Sequence, residues 1–481
     1  MNEQIRQLQP AALWNHFADL NAVPRPSKKE ERVIAFMKAF GESLGLPTSV
    51  DEAGNVLIKK PATAGMENRE TVVMQSHIDM VHQKNSDTVF DFDTQGIEMY
   101  VDGDWVRAKG TTLGADNGIG VASIMTLLSA TDIPHPAIEA LFTIDEETGM
   151  TGALALKGGV LTGNILLNLD TEADNELTIG CAGGVDVTAT GTYAQQAASG
   201  NAYIITVKGL TGGHSGGDIH LGRGNANKIM NRVLHALNKG GDLGIASISG
   251  GSLRNAIPRE SIAVVTTSSA PEATISTLIA AIKAEYKATD PNLDITIAPA
   301  GMPAQVMDSK FQQQLLRALY TCPNGIYRMS PEIQRLVQSS NNLARVVVAD
   351  GNYSLQCLTR SSVDSEKTDL AAAIGSAFEL MGATMAYTNG YPGWEPLPGS
   401  AIVKLMDELY TEMFGGHAHV NAVHAGLECG ILGTNYPGMQ MISFGPNITG
   451  AHSPDERVQV SSVQKYWKYL LETLKRIPAK K

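Results

Sequence analysis

The segment TVVMQSHID, residues 71–79, decides the fold of this chain. It begins with an apolar run at 71–75 that lacks the polar alternation expected of a strand with one face in water. Similar runs rich in valine, isoleucine and leucine recur at 140–144, 164–169 and 440–444. Strands covered on both faces have this pattern, which is typical of parallel sheets between layers of helices. We therefore expect an α/β fold with a mostly parallel sheet flanked by helices.

Helical segments are predicted around these runs. Leu13, Phe17 and Leu20 recur at helical spacing near the start of the chain. Ser27 and Glu30 form a capping-box pattern, which predicts that a helix starts here and ends at glycine 45. Further helices are expected at 118–130, 401–414 and 463–477.

Two domains are expected, because 481 residues exceed the roughly 250–300 at which one hydrophobic core stops growing. Within 187–390 the pattern changes to strand-like stretches interleaved with amphipathic helices. We predict an inserted α+β domain there, and a discontinuous domain made of 1–186 and 391–481. The segment LRNA at 253–256 is loosely similar to SNNLAR at 340–345, each expected to precede a strand, so the insertion is predicted to contain two similar halves.

Composition argues against several classes of protein. A net charge of −12 speaks against a nucleic-acid partner, because phosphate-binding surfaces need clustered lysine and arginine. No apolar run approaches the length that spans a bilayer, and the first residues lack a signal-peptide pattern, so no membrane association is expected. The cysteines form no CxxC pair, which favours a reducing cytoplasm; they are Cys181, Cys322, Cys357 and Cys429.

Residues able to carry chemistry follow the predicted strands. His77 and Asp79 project from the same face of a strand end, so the carboxylate can orient the imidazole of a metal ligand; a surface histidine is the alternative. Asp116 lies in a glycine-rich loop just before a helix, where it could also be only a helix N-cap. Glu146 and Glu147 end another run and point differently, so one can hold a metal while the other acts as a base. A solvated acidic turn is the alternative.

Asp170 follows the run at 164–169, and His452 lies in the loop after 440–444. In open α/β sheets functional residues gather beyond the carboxyl ends of strands, where these residues fall. Two histidines and three carboxylates without cysteine suit Zn²⁺, Mn²⁺ or Co²⁺. Five ligands suffice for two ions ~3.5–4 Å apart if one carboxylate bridges them. Asp116 is the predicted bridge.

Several motifs together resemble the co-catalytic dizinc aminopeptidase/carboxypeptidase superfamily, most closely its aminoacyl-histidine dipeptidases. They are HID at 77–79, GADNG at 114–118, DEETG at 145–149, GGHSGG at 212–217, NAIPR at 255–259 and HSPDE at 452–456. The resemblance extends from the first helix to the last. It implies a cytoplasmic homodimer that hydrolyses dipeptides, including Xaa-His and β-alanyl-His, with two divalent ions, above all Zn²⁺. The insertion would then be a lid and dimerisation domain.

The resemblance also implies individual roles. One ion would be held by His77, Asp116 and Asp170, and the other by Asp116, Glu147 and His452. Asp79 would orient His77, and Glu146 would be the general base that takes a proton from the attacking water. Roles at the substrate would fall to four further residues: His214 stabilises the oxyanion, Asn255 assists, Arg360 binds the free carboxylate, and His424 supports or contacts the substrate.

Three rival interpretations remain. An N-acyl amino acid deacylase or a tripeptidase would use the same metal ligands. A non-catalytic scaffold could keep the ligands but has no need of a base at Glu146. The segment 213–217 formally fits the G-x-S-x-G pattern of serine hydrolases, but no strand is expected to lead directly into Ser215.

Overall fold

The computed structural model describes residues 2–480, which divide into two compact units. The first unit comprises the chain up to Gly180, Pro396–Ala422 and the chain from Leu427 onward. The second comprises Cys181–Glu395 and Val423–Gly426. The predicted domain boundaries placed 181–186, 391–395 and 423–426 with the outer segments, and the structure assigns all three to the second unit. Residues 423–426 group with this unit because the N–H of Ala182 donates to carbonyls in this segment.

The main sheet of the first unit confirms the predicted α/β fold. Three strand pairings within it are parallel, and they join the four strands predicted from the sequence. Across the sheet the described strands are Thr48–Val50, Val56–Lys60, Ile138–Thr143, Val72–His77, Ile165–Asn168, Gln440–Ser443, Glu176–Cys181 and His419–Val423. Every residue of Val72–His77 and Ile138–Thr143 is buried, as expected of strands covered on both faces.

Helices and a smaller sheet complete the first unit. Its described helices are Glu3–Arg6, Ala11–Leu20, Glu31–Ser43, Ala115–Ser129, Thr151–Ala155, Ala401–Phe414, Glu428–Asn435 and Val460–Arg476. The small sheet contains Ile448–Thr449, Arg457–Gln459, Trp105–Ala108 and Met99–Asp102. The apolar side chains Leu13, Phe17 and Leu20 are buried, which explains their helical spacing. Within residues 2–480, no helix is both long and apolar enough to cross a bilayer.

The second unit is built on a large antiparallel sheet packed against helices. Across this sheet the strands are Asp294–Pro299, Asn201–Lys208, Ser261–Thr267, Gly244–Gly250, Val337–Ala349, Asn352–Ser361, Gly183–Thr192 and Thr384–Tyr391, with Gly325–Met329 paired to Val337–Ala349. Gln195–Ala197 pairs with Gln305–Met307. The α-helices are Ala226–Asn238, Pro271–Glu285, Ser309–Thr321 and Asp364–Glu379, preceded by a 3₁₀ turn, Ile219–Leu221.

The two segments proposed as an internal repeat differ in local structure. Residues 253–256 lie in a loop, whereas 340–345 lie inside the strand Val337–Ala349. The expectation that each precedes a strand is therefore wrong for the second segment. The polar residues of this segment made it look like a loop in the sequence. They are buried within the strand, where Asn342 donates hydrogen bonds to the backbone of Arg254 and Ala256.

Candidate active site

The five predicted metal ligands come together at one end of the main sheet of the first unit. His77, Glu147 and Asp170 lie at or just beyond the carboxyl ends of three neighbouring strands. Asp116 lies at the start of Ala115–Ser129, where its backbone is not helical and continues the preceding loop, and His452 comes from another loop that reaches the same place. Parallel strands end at a common sheet edge, which explains why residues far apart in sequence meet here.

These side chains form two groups that share Asp116. One is His77, Asp116 and Asp170; the other is Asp116, Glu147 and His452, and in each the possible ligand atoms lie within 4.8 Å of one another. His77 Nε2 is 3.2 Å from Asp116 Oδ1 and 3.5 Å from Asp170 Oδ1. His452 Nε2 is 3.3 Å from Asp116 Oδ2 and 2.9 Å from Glu147 Oε2. The two oxygens of Asp116 therefore face different histidines, as a bridging carboxylate must.

Asp116 does not cap the helix that follows it. Gly114 occupies the N-cap position of the helix Ala115–Ser129, with a φ of 70° that favours glycine. A neighbouring carboxylate, that of Glu456, takes the capping role instead. It accepts hydrogen bonds from the N–H groups of Leu113, Gly114, Ala115 and Asp116 at 2.6, 2.9, 2.7 and 3.2 Å. The N-cap alternative for Asp116 is wrong, because its two carboxylate oxygens lie against His77 and His452 and accept no backbone N–H in the part of the chain that the structure describes.

Asp79 connects the histidine at the strand end with the acidic turn. Its Oδ1 lies 3.3 Å from His77 Nδ1. The same carboxylate accepts the N–H groups of Glu146 at 3.1 Å and of Glu147 at 3.4 Å. Ser27 Oγ donates to it at 2.7 Å, so Ser27 does not form the predicted capping box, and Glu30 is the N-cap residue of the following helix. Asp79 thus lies beside the His77 imidazole and accepts hydrogen bonds from the turn that carries both glutamates.

Carboxylates are crowded at this end of the sheet. Burial raises the pKa of Glu146, Glu147 and Asp170, and neighbouring carboxylates add to the increase. Hydrogen bonds from His452 to Asp116 and Glu147 raise the pKa of His452 to about 11. Both effects show a local excess of negative charge, which bound cations would relieve.

The residues present fit a pair of divalent ions. All donor atoms are nitrogen or oxygen, a set that suits Zn²⁺, Mn²⁺ or Co²⁺ and excludes a cysteine-type zinc site. Glu147 Oε1 is buried and has no hydrogen-bond partner in the part of the chain that the structure describes. A buried oxygen without a hydrogen-bond partner lowers the stability of a protein unless a ligand binds to it.

The second unit holds the residues predicted to act on the substrate. The N–H groups of Gly216 and Gly217 donate to His214 Nδ1 at 3.2 and 2.9 Å. Because Nδ1 accepts, a neutral imidazole carries its proton on Nε2, which can donate to an anionic oxygen. The Asn255 carbonyl accepts the N–H of Ser215 at 2.7 Å, while the Asn255 side chain is exposed. The loop of His214 is thereby held against the NAIPR segment.

Arg360 is a buried cation without a counterion. Its side chain lies in the strand Asn352–Ser361, is 5% exposed and donates to Tyr391 Oη at 2.7 Å. Within residues 2–480, no carboxylate lies within 4.0 Å of its nitrogens, and Arg360 Nε has no hydrogen-bond partner. Arg360 therefore does not form a surface ion pair within the described chain. A buried guanidinium in this state suits an anionic ligand.

His424 and Glu428, four residues apart, do not form a metal pair. The helix starts at Glu428, and His424 lies in the segment before it. His424 Nε2 is 2.7 Å from Ser340 Oγ, whereas Glu428 accepts hydrogen bonds from Gln75 and Thr143. Burial, followed by the charge of nearby Arg360, lowers the pKa of His424 to about 3, so its imidazole is neutral.

The loop of His214 packs against both Arg360 and His424. A Cβ atom on Gly216 would clash with the His424 carbonyl oxygen and lie 3.1 Å from Arg360 Nε. These three predicted substrate-binding residues therefore lie together in the second unit. The serine-hydrolase pattern fails, because the strand before Ser215 ends at Lys208 and the next α-helix begins only at Ala226.

Sequence reasoning missed several residues that support the site. Glu456 belongs to the HSPDE motif, but the sequence suggested no role for it. In the structure its carboxylate accepts backbone N–H groups of the loop that carries Asp116. Tyr391, the partner of Arg360, and Ser340, the partner of His424, are equally unremarkable in sequence. A fully buried arginine, Arg25, has no sequence signal, since no local pattern marks it as buried.

Comparison with known proteins defines the class. The model of peptidase family M20/M25/M40 matches residues 73–476, so the chain belongs to this family and is a peptide hydrolase. Over 99% of its length the chain is 41% identical to the whole of the cytosol non-specific dipeptidase of Escherichia coli K12. The crystal structure of aminoacylhistidine dipeptidase from Vibrio alginolyticus matches with a TM-score of 0.92, at 42% identity and full coverage of both chains.

A more distant match concerns the fold alone. Aminopeptidase PepT from Bacillus cereus aligns over 98% of this chain and 99% of its own with a TM-score of 0.58 and 16% identity. The architecture of the two units is thus shared with a peptidase of very different sequence.

Proposed function

We propose that this peptide hydrolase is a metal-dependent dipeptidase that cleaves dipeptides, including Xaa-His and β-alanyl-His. The observation that carries the proposal is the pair of histidine and carboxylate groups that share Asp116, next to Glu146, whose backbone N–H donates to Asp79. The dipeptidases from Escherichia coli and Vibrio alginolyticus, both similar over their full lengths, support the substrate class.

Two divalent ions, above all Zn²⁺ with Co²⁺ or Mn²⁺ as alternatives, are assigned to this site. One would be held by His77, Asp116 and Asp170, and the other by Asp116, Glu147 and His452. Such ions supply Lewis acidity toward water and toward the scissile carbonyl.

Glu146 is proposed as the general base. Asp79 accepts its N–H at 3.1 Å and thereby holds it beside Glu147 without occupying its carboxylate. Burial raises the pKa of Glu146, which strengthens it as a proton acceptor. Its carboxylate takes a proton from the attacking water and later gives it to the leaving amine.

The second unit provides the proposed substrate contacts. His214 donates from Nε2 to the oxygen that becomes negative in the transition state. Arg360 binds the free carboxylate of the dipeptide through its planar guanidinium, and Asn255 and His424 contact the substrate. The lid and dimerisation roles of this unit, the homodimer and the cytoplasmic location stay predictions.

The decisive experiment compares wild type with Glu146→Gln in hydrolysis of Ala-His and β-Ala-His. Both proteins are first shown to bind the same two equivalents of metal, which separates the base from the ligands. We expect Glu146→Gln to lose roughly 10²–10⁴-fold in kcat, because an amide cannot accept the proton.

Two results would contradict the proposal. A Glu146→Gln variant as active as wild type would exclude Glu146 as the base. A wild type that cleaves neither dipeptide with any of the three metals would reject the substrate class, and N-acyl amino acids and tripeptides would then be tested.

A further inference from the structure

We propose that Arg25 and Glu456 are positioning residues that hold three ligand-bearing segments together through Gly114, and thereby set the affinity for metal. The inference rests on the proposed function, since it concerns the ligands of the proposed ions. The three segments are the strand end with His77 and Asp79, the loop with Asp116, and the loop with His452.

Glu456 joins the loop of Asp116 to the loop of His452. Its side chain is 2% exposed, and its two oxygens accept the four backbone N–H groups of residues 113–116. It stands four residues after His452 in the same loop, where its N–H donates to the Ser453 carbonyl at 3.0 Å. Four backbone N–H groups bound to one buried carboxylate therefore tie the two loops together.

Arg25 joins the loop of Asp116 to the strand end. Its side chain is 1% exposed. Nη1 donates to the carbonyl oxygens of Ile78 at 3.2 Å and Asp79 at 2.9 Å, and Nη2 donates to the Gly114 carbonyl at 2.5 Å. The planar fork of arginine reaches both segments at once, which a lysine ammonium cannot do with the same geometry.

Both charged side chains bind the backbone of the same residue, one at its N–H and the other at its carbonyl. Glu456 accepts the N–H of Gly114 at 2.9 Å, and Arg25 donates to its carbonyl. Gly114 has a φ of 70°, and a Cβ atom on it would lie 2.5 Å from Arg25 Nη2, so a glycine is needed for both reasons. A continuous set of contacts therefore runs from His77 to His452 and passes through the residues beside Asp116.

This arrangement acts on the relative positions of the ligands. Metal sites require their ligands within about 0.5 Å of the productive geometry. Residues that orient ligands typically change metal affinity by roughly 10–100-fold when they are replaced. Loss of either connection would let the bridging Asp116 shift against His77 or His452, which weakens binding without removing a ligand.

The test is a Zn²⁺ titration of the full-length, metal-stripped protein in competition with a chromophoric chelator. Glu456→Gln replaces one acceptor oxygen by an amide group that opposes the backbone donors. The matched control is Glu139→Gln. Glu139 is also buried, 3% exposed, and accepts the N–H groups of Thr162 and Gly163 at 2.7 and 3.0 Å, but it lies near the opposite end of its strand. Melting temperatures are measured for every variant.

We expect Glu456→Gln to bind at least one Zn²⁺ equivalent roughly 10–100-fold more weakly than wild type. Glu139→Gln should bind both equivalents as wild type does, even where its melting temperature falls by the same amount. Arg25→Lys should weaken Zn²⁺ binding like Glu456→Gln, and it decides the question if Glu456→Gln does not fold.

Wild-type affinity in Glu456→Gln, or in Arg25→Lys where the first does not fold, would overturn the inference. Equal weakening in Glu139→Gln would also overturn it, because general destabilisation would then explain the effect. A wild type that binds fewer than two equivalents of Zn²⁺ would instead reject the proposed metal site itself.

Discussion

Replacing Arg360 by methionine tests how the substrate is recognised. The guanidinium is 5% exposed and its bond to Tyr391 is with a neutral hydroxyl. No carboxylate of the described chain neutralises it within 4.0 Å. A substrate carboxylate would therefore be its first ionic partner, and the charge-assisted hydrogen bonds would form in a site that excludes water.

The size of the effect follows from this burial. Truncating one partner of a buried, hydrogen-bonded charge pair costs about 2–5 kcal/mol. At about 1.36 kcal/mol for each factor of ten, kcat/KM for a free dipeptide should fall by roughly 30- to 5,000-fold in Arg360→Met. The stability of the protein should not fall, because the variant removes a buried charge that has no counterion.

The assay compares Ala-His with its C-terminal amide in wild type, Arg360→Met and Arg360→Lys. Wild type should strongly prefer the free acid, and Arg360→Met should lose that preference while its slow cleavage of the amide stays unchanged. Arg360→Lys should recover part of the preference, since it keeps the charge but not the bidentate fork. Equal losses on acid and amide in Arg360→Met would refute the assigned role.

Two further predictions concern the same unit. The pKa of His424 is about 3 when folded and 6.5 when unfolded, so the unfolded state binds the extra proton and stability is lost as pH falls below 6.5. Urea unfolding should show wild type losing about 2 kcal/mol more than His424→Gln between pH 7 and pH 5, and parallel pH profiles would contradict this. Gly216→Ala should displace the loop of His214, costing about 1–3 kcal/mol and lowering kcat/KM, whereas Gly399→Ala, with nothing near its Cβ, should do neither. Identical behaviour of the two glycine variants in melting and activity assays would show that this close packing is unimportant.

Some features were predictable because they are local. Val72–His77 and Ile138–Thr143 are buried on both faces, and strands of this kind lack a regular alternation of apolar and polar residues. The ligands His77, Glu147 and Asp170 could be proposed because parallel strands expose their carboxyl ends at one edge. The choice of Glu147 as ligand and Glu146 as base came from family resemblance, since two adjacent acids look alike in a sequence.

Other features could not be predicted from local patterns. Ser27 and Glu30 matched a capping box, yet Ser27 Oγ donates to Asp79, because a hydroxyl binds whichever acceptor the tertiary fold brings to it. The grouping of His424 with the second unit was equally unpredictable from local patterns, because it depends on contacts with residues distant in sequence.

The sequence alone therefore determined the sheet, the class of fold and the set of residue types able to bind two metal ions, because these depend on periodicity and on side-chain chemistry. Only the tertiary structure decided that Asp116 faces both His77 and His452, and that Arg25 and Glu456 hold its loop. Such contacts join residues between 39 and 342 positions apart, and their geometry is set by how the segments pack rather than by any segment on its own.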